Sequence, residues 1–352
     1  MNHPDITIEN YRLFEKFQME GLTQINLLVG ANNSGKSSLL EAIYLLVAHE
    51  NPMAVLDVLE NRGEFIEATM NDPGEIYHIA EIFRGYQFQK DHKVVIASQK
   101  DKQMSLEYTY LDYEMSWPNK DEGEDIVGIR FREPGKADVV GSFDLEEEEG
   151  LTRSYSGDAF RFRMDTDDYF VTTERLGLRK ITKLWNQVVL TPKEDIVLDT
   201  LRILEPNLER IALLNQTTPA MSVQLKIKGN ARPVPLGSMG DGMYRIFALA
   251  LSLVNCENGA LFVDEIDTGL HYKALVKMWR LVIETAKRLN AQVFATTHSW
   301  DCLVAFHKAL NKTEETDLGS VFRLERKNGQ IDYVAYTGEE LAVAVKHDIE
   351  MR

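Results

Sequence analysis

The sequence predicts an α/β fold: a phosphate-binding head whose two parts lie towards the ends of the chain, with a β-rich lobe and an inserted helical subdomain between them. Three observations predict it. Gly30-Ala31-Asn32-Asn33-Ser34-Gly35-Lys36-Ser37 fits the phosphate-loop pattern G-x-x-x-x-G-K-[ST] without a mismatch. Ala260-Leu261-Phe262-Val263-Asp264-Glu265 is an apolar strand ending in two adjacent carboxylates. Between them the patterning changes from short β-like runs to helical spacing. The expected divisions are residues 1–72 for the first part of the head, 73–172 for the β-rich lobe, 173–215 for the helical subdomain and 216–352 for the rest of the head.

Taken in order, Ile6-Thr7-Ile8 and Tyr11-Arg12-Leu13-Phe14 read as an opening strand and its continuation, a small antiparallel unit. Thr23 to Val29 reads as a buried strand, and Ser37-Ser38 opens a segment to Val47 with apolar residues at helical spacing. Strand, loop and helix are the context the motif requires. Glycines at 30 and 35 let the backbone turn its N–H groups towards a phosphate, and the helix N-terminus adds partial positive charge. Lys36 would reach β- and γ-phosphates and Ser37 would ligate Mg²⁺, with Asn32, Asn33, Ser34 and Ser38 completing the candidate loop.

From Glu75 to about Phe170 short runs (Val94-Val95-Ile96, Ser105 to Tyr110, Ile126 to Phe131, Phe160 to Arg163) are separated by Gly, Pro and acidic residues, as in a β-rich lobe. The acidic patches at 121–125 and 146–149 read as solvated loops. Between Thr173 and Leu214 the pattern is helical, with Leu176, Ile181, Leu184, Trp185 and Val188 on one face. Thr191-Pro192-Lys193-Glu194 is a helix start: Thr at the N-cap, Pro in the first helical position, Glu at the capping-box position. Pro206 stops or kinks that helix. No sustained heptads are present, so a long coiled-coil arm is not expected.

The composition is that of an ordinary globular chain, with 44% hydrophobic and 27% charged residues. Its net charge of −16 argues against a surface coated in cations for nonspecific DNA binding, while leaving room for a local basic groove. Two cysteines, Cys256 and Cys302, make neither a disulfide framework nor a metal cluster, which suits a reducing compartment. The N-terminus lacks a signal-peptide pattern, and the apolar stretch Ile246 to Val254 is too short to cross a bilayer. A soluble, cytoplasmic protein without membrane partners is the expectation.

In the second half of the site Asp264 could hold Mg²⁺ through water, and Glu265, on the opposite side of the backbone, could polarise an attacking water. Upstream, Ser238-Met239-Gly240-Asp241-Gly242 precedes an apolar helix from Met243 to Val254, with Asp241 as its expected N-cap. Downstream come Ile266-Asp267-Thr268-Gly269-Leu270-His271, a helix, and the strand Gln292 to Thr297 ending in His298-Ser299.

This order of motifs resembles the ABC-class ATPases, in particular the RecF, SMC and OLD-like branch, whose phosphate loop commonly reads G-x-N-x-S-G-K-S. The resemblance covers roughly residues 5–50 and 232–305 and implies an ABC-type P-loop ATPase head with a mixed sheet, ATP as substrate and Mg²⁺ as cofactor. It further implies a homodimer or higher oligomer, associating head to tail, with composite ATP sites. Ser238 and Gly240 would then contact the γ-phosphate bound by the other subunit. Asp267 would lie on the dimer-facing loop, His298 would sense the γ-phosphate, and Glu265 with Lys36 would carry catalysis. The signature departs from Leu-Ser-Gly-Gly-Gln, and the Q-loop glutamine is open between Gln87 and Gln89.

Beyond His298 the chain reads as a helix, two strands (321–324 and 331–336) and a final helix, which leaves no space for a Toprim nuclease domain. The resemblance is therefore to stand-alone OLD-like ATPases, which implies a switch or sensor controlling a separate effector, a nuclease or toxin, in anti-phage defence. A RecF-like ATPase that clamps DNA directly is the alternative, with Arg175, Arg179, Lys180, Lys183, Lys226, Lys228 and Arg232 as the cations to examine. A scaffold that binds ATP without hydrolysing it is a third, opposed by the Asp264-Glu265 pair.

Overall fold

The computed structural model describes residues 6–48, 51, 54–66, 76–86, 92–98, 103–110, 125–132, 139–146, 150–152, 169–173, 175–215, 221–313, 316–336 and 338–347. The chain opens with the hairpin β1 (Ile6–Tyr11) and β2 (Phe14–Met19), followed by β3 (Ile25–Val29), α1 (Lys36–Val47) and α2 (Ala54–Arg62). A run of strands comes next: β4 (Phe65–Ile66), β5 (Ile76–His78), β6 (Lys93–Ser98), β7 (Gln103–Tyr110), β8 (Asp125–Arg132), β9 (Val139–Glu146), β10 (Gly150–Thr152) and β11 (Tyr169–Val171). The middle comprises α3 (Leu178–Asn186), α4 (Pro192–Leu201), β12 (Leu208–Asn215), β13 (Met221–Ile227) and β14 (Val234–Pro235). The remainder is α5 (Asp241–Val254), β15 (Ala260–Val263), α6 (Tyr272–Leu289), β16 (Gln292–Thr297), α7 (Trp300–Lys312), β17 (Gly319–Lys327), β18 (Gln330–Tyr336) and α8 (Gly338–Lys346).

These elements form two compact units. One comprises Met1–Gly21, Ser37–Thr166 and Glu325–Tyr333; the other comprises Leu22–Lys36, Asp167–Leu324 and Val334–Arg352. The first holds a nine-stranded sheet in the order β2-β1-β6-β7-β8-β9-β10-β5-β4, antiparallel at each pairing. Beside it α1 is anchored through buried charges. The Glu41 carboxylate, 5% exposed, pairs with Arg12 at 3.0 Å and Arg62 at 2.6 Å, and accepts from the Tyr11 hydroxyl at 3.2 Å. Arg12 also forks onto both oxygens of Glu64 at 2.8 Å, and Arg62 donates to the Ser38 hydroxyl at 3.2 Å. Burial pushes the Glu41 carboxyl up, and the two guanidinium groups pull it back.

The second unit is built on a mixed sheet in the order β11-β15-β16-β3-β17-β18. The first five strands run parallel. β18 returns through Asn328-Gly329, at φ 53° and 82°, the tight turn of an antiparallel hairpin. All five residues of β3 and all four of β15 are buried, as central parallel strands demand. Phe170, Phe262 and Phe294 are register partners on adjacent strands and stack at 6.2 and 5.2 Å between centroids, which pins the alignment of three strands at once. Trp279 of α6 and Phe306 of α7, both fully buried, meet at 4.7 Å over this core.

α3 buries Ile181, Leu184 and Trp185 as its spacing predicts. At the start of α4 the Thr191 hydroxyl accepts from the Lys193 N–H at 3.2 Å; Glu194 reaches back, though to the N–H of Leu190 rather than of Thr191. The helical reading up to Leu214 is corrected by β12. The helix ends at Leu201, Pro206 follows, and Leu208 and Ile211 turn inward in a strand paired with β13. Phe160 to Arg163, Gln87, Gln89 and the acidic residues at 121–124 and 147–149 lie outside the described residues. Among the described residues no helix is long and apolar enough to cross a membrane. Cys256 and Cys302 are both buried thiols.

Candidate functional site

Strand register assembles the site. Val263 is level with Ala295, so Asp264 leaves β15 beside Thr296; Thr297 is level with Val29, so His298 leaves β16 beside Gly30. Three parallel strands thus deliver the acidic pair, the phosphate loop and the histidine at their carboxyl ends, where ligands of open α/β sheets bind.

The loop after β3 is held open by backbone geometry. Gly30 lies at φ 148°, and a Cβ there would stand 2.6 Å from the Leu324 carbonyl oxygen and 2.8 Å from Ser34 Oγ. Asn33 at φ 61° and Gly35 at φ 96° continue the turn, and Ala31, Asn32 and Asn33 are exposed. Lys36, 6% exposed, donates from Nζ to the carbonyl oxygens of Gly30 and Ala31 at 2.9 Å each. Burial lowers its pKa, while the negative charges of Glu265 and Asp264 oppose that shift. Ser34 Oγ is buried with no hydrogen-bond partner. A cramped glycine cradle, an inward ammonium and an orphaned hydroxyl suit a phosphate anion. Ser37 and Ser38 follow on α1, Ser38 in the grip of Arg62.

The acidic pair is organised around Thr296, whose hydroxyl donates to Asp264 Oδ1 at 2.6 Å and accepts from the Glu265 N–H at 2.8 Å. Glu265 sits at φ 50°, an unusual conformation for a residue with a Cβ. Its carboxylate meets His298 Nδ1 at 2.7 Å, with His298 exposed and Glu265 mostly shielded. Thr297 Oγ1 donates to Asp267 Oδ1 at 2.5 Å and also accepts from the Ser299 N–H at 3.0 Å. Beneath this turn the Arg245 guanidinium donates to the carbonyl oxygens of Thr172, Asp264 and Glu265. Among the described residues no group of three or more His, Cys, Asp or Glu side chains could hold a metal unaided. A cation at Asp264 would therefore draw the rest of its shell from the Ser37 hydroxyl, phosphate and water, the habit of Mg²⁺.

Ser238 and Gly240 are exposed ahead of α5. Gly240, at φ 86°, is the N-cap and Asp241 the first helical residue, which corrects the expected cap: the positive φ required there falls to the glycine. Asp241 is instead paired with Arg175, which also lies 5.1 Å over the Tyr244 ring. The other cations raised for DNA binding, Arg179, Lys180, Lys183, Lys226, Lys228 and Arg232, are exposed on α3, on β13 and on the turns after it. Thr296 and Arg245 escape sequence reading. Thr296 is one of two threonines ending a strand; Arg245 leaves a faint trace as the sole charge in an otherwise apolar stretch of α5.

A family model described as "AAA domain, putative AbiEii toxin, Type IV TA system" matches residues 25–305. An ATP/GTP phosphatase of Helicobacter pylori is 23% identical over 361 aligned positions that span 96% of both chains. An uncharacterized protein of Methanocaldococcus jannaschii is 33% identical over 72 residues, 19% of this chain and 33% of that one. Among solved structures, the Smc head domain with an extended coiled coil, bound to the C-terminal domain of ScpA and derived from Pyrococcus furiosus, aligns over 99% of each chain with a TM-score of 0.51 at 11% identity, a likeness of fold. With phosphate loop, acidic strand and histidine strand inside the matched region, the chain belongs to this AAA-domain family and has the α/β fold of an ABC-type ATPase head.

Proposed function

We propose that this protein is an OLD-like ATPase that closes into a head-to-tail homodimer on ATP and, as a switch, controls a separate effector protein in prokaryotic anti-phage defence. The observation that carries the reading is the Glu265–His298 contact at 2.7 Å, beside Asp264 and at the strand ends level with the phosphate loop. A carboxylate tethered in this way is poised to take a proton from water attacking a γ-phosphate. Lys36 neutralises phosphate charge, Asp264 is the carboxylate for Mg²⁺, and the motif assigns Ser37 to the same ion. Bound with ATP, Mg²⁺ neutralises charge on the β- and γ-phosphate oxygens. His298 orients Glu265 and responds to the γ-phosphate. Ser238 and Gly240, exposed ahead of α5, are free to meet a nucleotide held by a second subunit, and Asp267 is held by the Thr297 hydroxyl at the end of β16.

The relative's designation as an ATP/GTP phosphatase supports hydrolysis of a nucleoside triphosphate, and the family description associates such AAA domains with a toxin–antitoxin system. Glu265→Gln keeps the shape of the side chain and removes the base. It should bind ATP within about threefold of the wild type, lose about 100-fold or more in kcat and accumulate an ATP-dependent dimer measurable by light scattering. Unchanged turnover in this variant defeats the assignment.

A further inference from the structure

Arg245 lies one turn into α5, is 7% exposed, and is the only charged residue of that helix after Asp241. Its fork is spent on backbone: the carbonyl oxygens of Thr172 and Asp264, and that of Glu265 at 3.2 Å. A second contact joins the same helix to the same turn. A Cβ on Gly242 would stand 2.4 Å from the Gly269 carbonyl oxygen, so the first turn of α5 is seated directly on the segment that carries Asp267. The helix therefore grips residues 264–270 at two places, and a displacement of α5 cannot leave that turn behind.

The turn it grips has a reason to move. Glu265, at φ 50°, occupies the left-handed region that a Cβ disfavours. It is kept there by its N–H on Thr296 and by its carbonyl, which accepts from Arg245 and, at 3.0 Å, from the Thr268 N–H. A shift of α5 pulls on the Glu265 carbonyl through the guanidinium, and a turn of that peptide to negative φ would swing the carboxylate away from His298. Two such arrangements of one peptide, biased by the position of a helix, would make a bistable element.

We propose that Arg245 is a positioning residue that couples the two composite ATP sites of the dimer: when the segment ahead of α5 engages the nucleotide of the other subunit, Arg245 passes that engagement to Glu265 of its own site. The inference rests on the head-to-tail reading given above. It makes hydrolysis at either site depend on ATP at both, so the rate rises sigmoidally with ATP.

The experiment measures affinity for a fluorescent ATP analogue, thermal unfolding and the ATP dependence of phosphate release for the wild type, Arg245→Met, Arg245→Lys and Glu265→Gln. Arg245→Met fills the space without donors. It should bind nucleotide within about twofold of the wild type, lose about tenfold or more in kcat and turn the sigmoidal curve hyperbolic. Arg245→Lys keeps the charge, but one ammonium cannot span three carbonyls; it should unfold like the wild type and still be hyperbolic. A hyperbolic wild-type curve overturns the coupling, as does either variant with wild-type kcat and sigmoidicity. So does loss of nucleotide affinity in both variants in step with early unfolding, which marks Arg245 as framework alone. If Glu265→Gln turns over normally, the parent reading falls as well; if it is inactive while Arg245→Met behaves as wild type, only the coupling falls.

Discussion

Replacing Thr296 with valine exchanges one hydroxyl for a methyl in a fully buried side chain, and the structure says what that oxygen is worth. It donates to the Asp264 carboxylate at 2.6 Å and accepts from the Glu265 N–H at 2.8 Å. A hydrogen bond to a charged acceptor contributes about 1.5–3 kcal/mol, with the lower end applying here because Asp264 is partly exposed and can recruit water. An orphaned, shielded N–H costs about 1–3 kcal/mol more. The expected loss is about 3 kcal/mol. Because the orphaned N–H belongs to the left-handed Glu265, kcat should also fall about tenfold or more. Thr296→Ser keeps the hydroxyl and should cost only about 1 kcal/mol for the lost methyl. Urea unfolding followed by tryptophan fluorescence, with Trp279 as a buried reporter, and steady-state phosphate release read both effects. A valine variant as stable and as active as the serine variant would show that the hydroxyl does not organise the acidic pair.

Gly30→Ala should destabilise the unit that carries the loop by about 3 kcal/mol and weaken ATP binding, because the nearest atom its Cβ meets is a backbone oxygen, which cannot rotate aside as Ser34 can; a wild-type urea midpoint refutes the close approach. His307, on α7, is pushed below its ordinary value of 6.5, first by burial and then by the neighbouring Lys308. Below pH 6.5 the unfolded chain takes up the proton before the folded one does. Stability is therefore lost as pH falls from 6.5 to the lowered folded value, then levels off. The His307 Nε2 contact with Asn311 Nδ2 at 2.9 Å is the bond at stake. His307→Gln should flatten that limb of a pH series of unfolding midpoints, and an unaltered slope rules His307 out as its source.

The strand, loop and helix around Lys36 are legible because each residue in the motif is there for a backbone reason: close approach at Gly30, a donor-rich turn, a helix start. The Asp264-Glu265 pair and His298 are legible as strand ends, since short apolar runs stopping at polar residues mark where parallel strands leave a sheet. What sequence withholds is which strand end meets which. Thr296 matters only because Val263 and Ala295 are in register, and Arg245 only because α5 returns beneath β15. The misread segment teaches the same lesson locally. Leu208, Ile211 and Leu214 are spaced for a helix, yet pairing with β13 decides the conformation, so tertiary partnership overrides periodicity. The signature cap went to Gly240 because a single positive φ outweighs the capping preference of the aspartate beside it.

The anchorage of α1 bears on how such a chain can diverge. Glu41 shares its two oxygens among Arg12, Arg62 and Tyr11, and Arg12 in turn completes Glu64. Loss of Glu41 deprives Arg12 and Arg62 of the buried carboxylate they share, at a penalty of about 3–5 kcal/mol, whereas simultaneous replacement of the set by apolar residues of similar volume can be neutral. A chain changed at Glu41 alone is therefore less stable than either end point. The helix that begins at the phosphate loop is tied through Glu41 to two separate stretches of chain, Tyr11-Arg12 and Arg62, whose side chains must be exchanged together for the helix to keep its anchorage.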